Sequence, residues 1–106
     1  MSNFMRILVF FDLPVKQKSE RKEYMRFRKF LLNDGYDMLQ FSVYCRICNG
    51  NEGTKKHVDR LKYNIPTKGS IRTLTVTDKQ YAKMEFLVGK PTQTEKKATS
   101  AQLTLF

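Results

Sequence analysis

The chain has 106 residues, enough for one domain whose modest core makes an oligomer a reasonable expectation. Twenty lysines and arginines stand against ten aspartates and glutamates, so the formal charge of +10 points to a polyanionic partner, with nucleic acid favoured. No apolar run approaches the roughly 18 residues that cross a bilayer, and no signal-peptide pattern opens the chain, so we expect a cytoplasmic protein that does not act at a membrane.

The first predicted element is a strand over residues 4–12 that ends in a single carboxylate, Asp12. The run from Ile7 to Phe11 is apolar without alternation, which is typical of a strand inside a sheet that is covered on at least one face. Pro14 ends this strand. A carboxylate at this place either caps the following turn or is held there for a metal or a phosphate, and both interpretations stay open.

The second predicted element is a helix over Val15–Gly35 with both ends marked. Ser19 is a plausible N-cap, Glu20 and Glu23 suit the positive end of the helix dipole, and Gly35 supplies a left-handed position at the C-terminus.

This helix is predicted to have one apolar arc and one cationic arc. The apolar arc is expected to pack on the sheet and contains Tyr24, Phe27, Phe30 and Leu31. The opposite arc is preceded by Lys16 and contains Lys18, Lys22, Arg26 and Lys29. A solvated face is the simple interpretation, and the excess of base over acid tilts it toward phosphate binding.

After Gly35 the apolar residues recur with period two, which predicts a β-hairpin bent near Gln40–Ser42. The second strand contains a lone Cys-x-x-Cys at Cys45 and Cys48. In an extended segment these side chains point to opposite faces, which argues against a disulfide, and zinc would need two further ligands. Both cysteines are therefore expected to be ordinary sheet residues.

A loop at Asn49–Gly53 and a second helix over Thr54–Asn64 are expected next. The residues expected to face inward are Val58, Leu61 and Ile65. His57, the only histidine, is interpreted most simply as a solvated side chain, with a general base as the alternative.

Ile71–Thr77 is rich in β-branched residues and predicts another strand, which completes the order β-α-β-β-α-β. With right-handed crossovers, this order gives an α+β ferredoxin-like sandwich with an antiparallel sheet and both helices on one face.

Beyond this core we expect a short helical turn within Asp78–Met84 and a further strand at Glu85–Val88. The four-stranded fold does not need that strand. An edge strand without a partner in its own sheet is a natural device for joining two protomers. We therefore predict a domain over residues 1–89 that includes a dimerising strand.

Residues 90–106 form the second predicted part, a polar linker followed by an apolar tail. The tail ends in Leu103-Thr104-Leu105-Phe106. It either packs on its own domain or docks on a partner, and the sequence leaves both open.

Together these features resemble the Cas two family of CRISPR-associated proteins, with details similar to the small subunit of type II systems. The resemblance covers residues 4 to about 89. The segments that carry it are Phe11-Asp12-Leu13-Pro14, Arg28-Lys29-Phe30-Leu31, Gln40-Phe41-Ser42-Val43-Tyr44, Gly69-Ser70-Ile71-Arg72 and Thr75-Val76-Thr77-Asp78-Lys79-Gln80.

The resemblance implies a homodimer in which the strand near residues 85–88 completes the sheet of the partner. It implies that one such dimer bridges two dimers of the Cas one integrase in a heterohexamer, which inserts captured DNA into the CRISPR array as new spacers. In this setting Leu103, Leu105 and Phe106 are expected to dock on the integrase rather than on their own domain.

The family's second attributed activity is metal-dependent cleavage of RNA or double-stranded DNA, with the Asp that ends the first strand as proposed metal ligand. In this chain that residue is Asp12, which becomes the expected catalytic and metal residue for Mg²⁺ or Mn²⁺. One carboxylate per protomer suffices only if the dimer brings both Asp12 side chains together. Ser42 either contacts a phosphate beside Asp12 or makes a hydrogen bond inside the hairpin.

Three hypotheses follow, none of which involves a small-molecule substrate. The first is a scaffold that binds the backbone of duplex DNA without reading bases, since these segments lack exposed aromatic residues for stacking. Its expected contacts are Lys16, Lys18, Arg21, Lys22 and Arg46. The second is a nuclease that uses Asp12. The third is a ferredoxin-like toxin-type endoribonuclease that acts on mRNA.

Overall fold

The computed structural model of the chain describes residues 3–92. In chain order its elements are β1 (Phe4–Asp12), α1 (Lys18–Asn33), β2 (Asp37–Gln40), β3 (Val43–Asn49), α2 (Gly50–Lys62), β4 (Ser70–Thr77) and α3 (Asp78–Ala82). The four strands form one sheet in the order β2-β3-β1-β4, and every neighbouring pair is antiparallel. This confirms the predicted ferredoxin-like topology.

β1 is an internal strand between β3 and β4, and its successive side chains point to opposite faces of the sheet. Val9 is opposite Tyr44 on β3 and Thr73 on β4, so these side chains share one face. Leu8 is opposite Cys45 and Leu74, on the other face. The first face carries the core and both long helices. Its buried cluster contains Ile7, Val9, Phe11, Leu13, Phe27, Leu31, Tyr36, Tyr44, Cys48 and Leu61.

α1 packs on this face through the predicted apolar arc. Phe27 and Leu31 are fully buried, and Tyr24 and Phe30 pack partly buried against the same cluster. The ring of Phe11 lies edge-on to Phe27 with the ring centroids 5.3 Å apart. Burial of each such side chain contributes about 1.5–3 kcal/mol, so this arc is what holds α1 to the sheet.

The ends of α1 differ in part from the prediction. The helix begins at Lys18 after Gln17 as N-cap, so the predicted start at Val15 and the predicted cap at Ser19 are wrong. The physical reason is that the Glu20 carboxylate accepts a hydrogen bond from the Gln17 backbone N–H at 2.8 Å. At the other end Gly35 has a φ of +89°, as predicted.

The hairpin and the two cysteines follow the prediction, whereas α2 does not. The bend between β2 and β3 lies at Phe41 and Ser42. Cys45 and Cys48 are buried free thiols on opposite faces of β3. β3 ends at Asn49 and α2 begins at Gly50, so the predicted loop at Asn49–Gly53 is wrong. Val58 and Leu61 pack inward as predicted, but Ile65 follows the helix and is half exposed.

α3 packs near the face of the sheet that α1 and α2 leave open. The Arg6 guanidinium is buried there, donates to the Asp78 carboxylate at 2.8 Å and lies 4.1 Å from the centre of the Tyr81 ring. After α3, Glu85–Val88 forms no strand within the single chain, and Leu87 and Val88 are 90% and 95% exposed. The exchanged strand therefore stays a prediction.

Two further expectations fall at the limits of the structure. The predicted apolar tail, with Leu103, Leu105 and Phe106, and most of the predicted linker lie outside the described residues. Across residues 3–92, the structure contains no helix that is long and apolar enough to span a membrane.

Candidate nucleic-acid interface

The candidate site lies at the edge of the sheet where β1 ends and β4 begins. Asp12 is the last residue of β1 and stands opposite Ser70, the first residue of β4. It alternates with the buried core residues of β1, so it belongs to the open face. Its side chain is exposed and makes no hydrogen bond or ion pair with any residue between 3 and 92. The predicted turn cap therefore has no bond in this part of the chain.

A close backbone approach by Gly69 helps to set the position of Asp12. Gly69 has a φ of +97°, and a Cβ built on it would lie 2.7 Å from both the Asp12 carbonyl oxygen and Leu13 Cδ2. Neither contact distance is compatible with a real side chain. The turn between α2 and β4 can lie against the end of β1 only because residue 69 is glycine.

We expect Gly69→Ala to destabilise the fold by about 2–4 kcal/mol, because a backbone clash adds to the cost of a positive φ. Chemical denaturation measures this loss. Gly50→Ala is the matched control, since Gly50 also has a positive φ, +72°, but no atom lies within 4 Å of its built Cβ. The control is expected to lose about 1 kcal/mol. Equal losses in the two variants would contradict the predicted clash.

One protomer does not provide a complete metal site at this edge. Among the described residues, no group of three or more histidine, cysteine, aspartate or glutamate side chains is placed to hold a metal ion. Mg²⁺ prefers oxygen ligands, and Asp12 supplies one such carboxylate. A carboxylate from a second chain would be needed to extend this donor set, so Mg²⁺ or Mn²⁺ binding stays a prediction.

The turn between β2 and β3 lies beside the same edge. The Phe11 backbone N–H donates to the Ser42 carbonyl oxygen at 3.0 Å. The backbone of Ser42 makes this hairpin bond, and no hydrogen bond of its hydroxyl occurs within residues 3–92. Ser42 has a φ of +63°, an uncommon conformation for a residue with a side chain. Phe41, before it, is 86% exposed.

Three of the predicted DNA contacts lie free at the start of α1. Lys16 in the entry loop and Lys18 and Lys22 on the helix are exposed, and none of them forms an ion pair in the described part of the chain. Arg26, on the same predicted arc, is paired with Glu23 at 3.1 Å. Lys29, at the far end of the arc, is also exposed and has no ion pair among the described residues, so the group of three lies at the beginning of the arc and a single lysine at its end.

Arg21 holds the loop that carries Lys16. Its Nη1 donates to the carbonyl oxygens of Lys16 at 2.7 Å and Val15 at 3.2 Å. These bonds hold the loop between β1 and α1 against the first turns of the helix. The sequence predicted Arg21 as a DNA contact, and the structure gives its guanidinium a role in ordering the loop that carries Lys16.

Arg46 lies away from the Asp12 edge. Its half-buried guanidinium donates to the carbonyl oxygens of Asp34 at 2.7 Å and Ile47 at 2.6 Å. A Cβ built on Gly35 would lie 3.3 Å from Arg46 Cζ, so the guanidinium also packs beneath that turn. These contacts tie the end of α1 to β3. The structure does not bring Arg46 together with the three exposed lysines.

His57 is not the solvated side chain that we predicted from the polar sequence around it. It is buried, and its Nδ1 lies 3.1 Å from Asp34 Oδ2, while Arg60 Nη1 donates to Asp34 Oδ1 at 2.8 Å. The prediction was wrong because Asp34 follows the last turn of α1, where a carboxylate opposes the helix dipole and needs positive partners. Burial alone would raise the pKa of Asp34, but the hydrogen bonds from His57 and Arg60 outweigh it and lower that pKa.

We expect Asp34→Asn to destabilise the protein by about 1–3 kcal/mol near neutral pH, because His57 and Arg60 lose the negatively charged carboxylate that both contact. Since the pKa of Asp34 is lower in the folded chain than its ordinary value of 3.8, its stabilisation is full above that value and is lost as the pH falls through the folded pKa. In thermal melts between pH 7 and pH 2, the melting temperature of the variant should therefore fall less with decreasing pH than that of the wild type. The exposed carboxylate Asp37, changed to Asn, is the control, and an equal change there would contradict the assignment.

Comparisons with known proteins point to one family. A family model described as CRISPR associated protein Cas2 matches residues 5–84. A CRISPR-associated endoribonuclease Cas2 from Acidovorax ebreus (strain TPSY) is 60% identical over 102 residues, which cover 96% of this chain and 100% of that protein. Proteins of the same name are 46% identical in Campylobacter jejuni (97% and 72% covered) and 43% identical in Parvibaculum lavamentivorans (96% and 100% covered). The matched region includes the Asp12 edge and the free lysines.

Proposed function

The chain belongs to the family of CRISPR-associated protein Cas2, and on this premise we propose that it is a DNA-binding subunit in spacer acquisition. In this role a homodimer binds duplex DNA and bridges two dimers of the Cas one integrase. The observation that carries the proposal is the group of three exposed, unpaired lysines at the start of α1, Lys16, Lys18 and Lys22, which we call the lysine group. The toxin alternative has no support from the matched family.

The lysine group suits the phosphate backbone rather than the bases of a duplex. Lysine is a flexible point charge, and contacts to phosphate position a protein without carrying sequence information. Such contacts release counterions, so the affinity for DNA should fall steeply with salt, with a slope near −0.9 per phosphate neutralised. A subunit that captures DNA of any sequence needs binding of this kind.

The open face of the sheet supports the proposed homodimer. Phe10, Val43, Ile47 and Leu74 are all partly or largely exposed there, and Leu74 is 54% exposed. A sheet that is apolar on both faces needs a cover on the second one. β4 is an edge strand, and Glu85–Val88 follows it closely in the chain with its apolar side chains in water. A second copy would bury both features.

Docking on the integrase is assigned to the apolar tail, Leu103, Leu105 and Phe106. We expect a chain truncated after Ala98 to form an intact dimer and to lose binding to the integrase, because the deleted residues supply an apolar anchor. Size-exclusion chromatography and a pull-down with the integrase measure the two properties. Unfolding of the truncated chain would instead show that the tail packs on its own domain.

The experiment that tests the proposal is spacer integration by the complex reconstituted with its integrase. Wild type is compared with a variant in which the lysine group is changed to alanine and with Asp12→Ala. We expect integration to be lost in the first variant and kept in the second. Integration that survives removal of the lysine group would contradict the DNA-binding role.

The name shared by the relatives favours a second candidate, an endoribonuclease. The specific observation is that Asp12 is exposed and free of any partner between residues 3 and 92. In this proposal the homodimer pairs two Asp12 side chains across its axis to hold Mg²⁺ or Mn²⁺. The two Asp12 carboxylates would hold the ion, and when bound it would supply a nucleophilic water and neutralise charge on the phosphate. Asp12 contributes the carboxylate oxygens, and the lysine group holds the strand nearby.

A further inference from the structure

The turn between β2 and β3 presents a large apolar side chain to water. Phe41 is 86% exposed, and the residues on either side of it, Gln40 and Ser42, are polar. A single exposed apolar residue is common on protein surfaces. An aromatic ring at the tip of a tight turn is less usual, because such positions favour glycine, asparagine and other small polar residues.

The backbone of the turn that carries the Phe41 ring is held beside the candidate site. Ser42, directly after Phe41, has a φ of +63° and accepts a hydrogen bond from the Phe11 N–H at 3.0 Å. Phe11 is the neighbour of Asp12 in β1. A positive φ at serine costs free energy and persists where surrounding contacts enforce it, often at binding sites. The turn therefore holds Phe41 on a defined backbone beside the Asp12 edge.

The charge around this edge favours an anionic ligand. The loop that leaves β1 carries Lys16, and its carbonyl groups are held by Arg21, as described above. The chain as a whole has ten positive charges in excess. An exposed aromatic side chain on a strongly basic chain is a combination with which proteins bind single strands, because bases stack on the ring while cationic side chains meet the phosphates.

We propose that Phe41 stacks on an unpaired nucleobase of a nucleic-acid strand whose backbone lies along the Asp12 edge. The interior of a duplex does not satisfy this contact, because its base faces are already stacked on one another and only the outer faces of the two terminal pairs are open. This replaces the sequence-based expectation that no exposed aromatic residue is available for stacking. The proposal rests on the nucleic-acid role proposed above and adds an unpaired base to it.

The test uses the absence of tryptophan from the chain, which makes an introduced indole its only one. Phe41→Trp is titrated with a 12-nucleotide single-stranded DNA, the same sequence as RNA, and a blunt duplex. Tyr63→Trp is the matched control, because Tyr63 is equally exposed, at 89%, but follows α2 in the helical layer. We expect a single strand to quench the indole fluorescence in the first variant and not in the control.

Affinity provides the second measurement. Phe41→Ala is expected to bind the single strand roughly tenfold more weakly than wild type, with the affinity for the blunt duplex unchanged. Comparison of the DNA and RNA strands shows which source supplies the base, and stacking on either supports the proposal. Blunt-duplex binding by wild type tests the scaffold role separately, so failure of stacking alone leaves that role intact.

Two results would overturn the proposal. Equal quenching at positions 41 and 63 would show that exposed rings report only a nearby strand. Dissociation of the homodimer in Phe41→Ala, measured by sedimentation, would assign the ring to a contact between protein chains. Circular dichroism of Phe41→Ala and Phe41→Leu confirms that these variants fold before either result is interpreted.

Discussion

Changing Lys16, Lys18 and Lys22 together to alanine is expected to weaken binding of duplex DNA by roughly a hundredfold at moderate salt, because the proposed dimer would lose six phosphate contacts. The slope of log affinity against log salt should become less steep by about 5, since each lost contact contributes about 0.9. Fluorescence anisotropy with a labelled duplex at four or more salt concentrations measures both quantities. Stability should change little, because all three side chains are exposed and unpaired within the described residues.

A second triple variant controls for net charge. Lys55 and Lys56 on α2 and Lys83 after α3 are equally exposed, and their replacement by alanine removes the same formal charge. We expect this variant to keep most of its affinity and its salt slope. If both triple variants lost affinity equally, the binding would follow from overall charge, and no particular surface could be assigned to DNA.

The two arginines among the predicted contacts are left out of the first variant for a structural reason. Arg21→Ala would remove two hydrogen bonds that order the entry loop, and Arg46→Ala would remove two that tie the end of α1 to β3. A loss of DNA binding in either variant would mix a lost contact with a displaced loop or helix. Because the three lysine side chains make no such bonds within residues 3–92, a loss of DNA binding in the lysine variant can be attributed to the lost contacts with DNA.

The order of strands and helices was predictable because each element has a clear local signal. The apolar run before Asp12 is the central strand, and the arc with Phe27 and Leu31 faces the core. Gly35 is placed where its positive φ ends the turn after α1. In these segments local preference and tertiary packing agree, which is the condition under which sequence patterns are informative.

The start of α2 was not predictable, because packing overrides local preference there. Gly50 and Gly53 are poor helix formers and suggested a loop. In the structure the Gly50 backbone N–H donates to the Asn3 carbonyl oxygen at 2.9 Å, and the Thr54 hydroxyl donates to the Gly50 carbonyl oxygen at 2.9 Å. The first of these bonds holds the start of α2 beside the residue that precedes β1. The gain depends on a contact between different elements, which no local pattern contains.

The surroundings of Asp34, and of Phe41 beside the candidate site, show the same limit of sequence-based prediction. His57 and Asp34 are 23 residues apart, and only the packing of α2 beside the end of α1 brings them together. The predicted bend near Gln40–Ser42 contains Phe41, but no pattern in the sequence indicates that the Phe41 side chain is 86% exposed there. Asp12 and the lysine group were identifiable because they lie at the ends of strongly patterned elements.

Asp12 differs from every carboxylate that the fold uses for support. Asp34 and Asp78 each bind an arginine. Glu20 accepts from the backbone N–H of Gln17, and Glu23 pairs with Arg26. Asp12 is exposed, and no residue from 3 to 92 hydrogen-bonds to its side chain. Its backbone, by contrast, is closely packed by Gly69. A rigid backbone with a free carboxylate suits a ligand that arrives from outside the chain.

Asp12→Asn is therefore expected to separate the two proposed activities. Asp12→Asn should reduce RNA cleavage on the order of a thousandfold or more, because Asp12 is the proposed metal ligand and the described residues contain no group of three or more ligands that could hold the ion instead. Duplex binding and spacer integration should persist, since the lysine group is unchanged. The control is Asp37→Asn on β2, an exposed carboxylate that should leave cleavage intact. Cleavage that survives in a purified Asp12→Asn dimer would assign the chemistry to another group. Integration lost in a folded Asp12→Asn dimer would show that the carboxylate serves the scaffold itself.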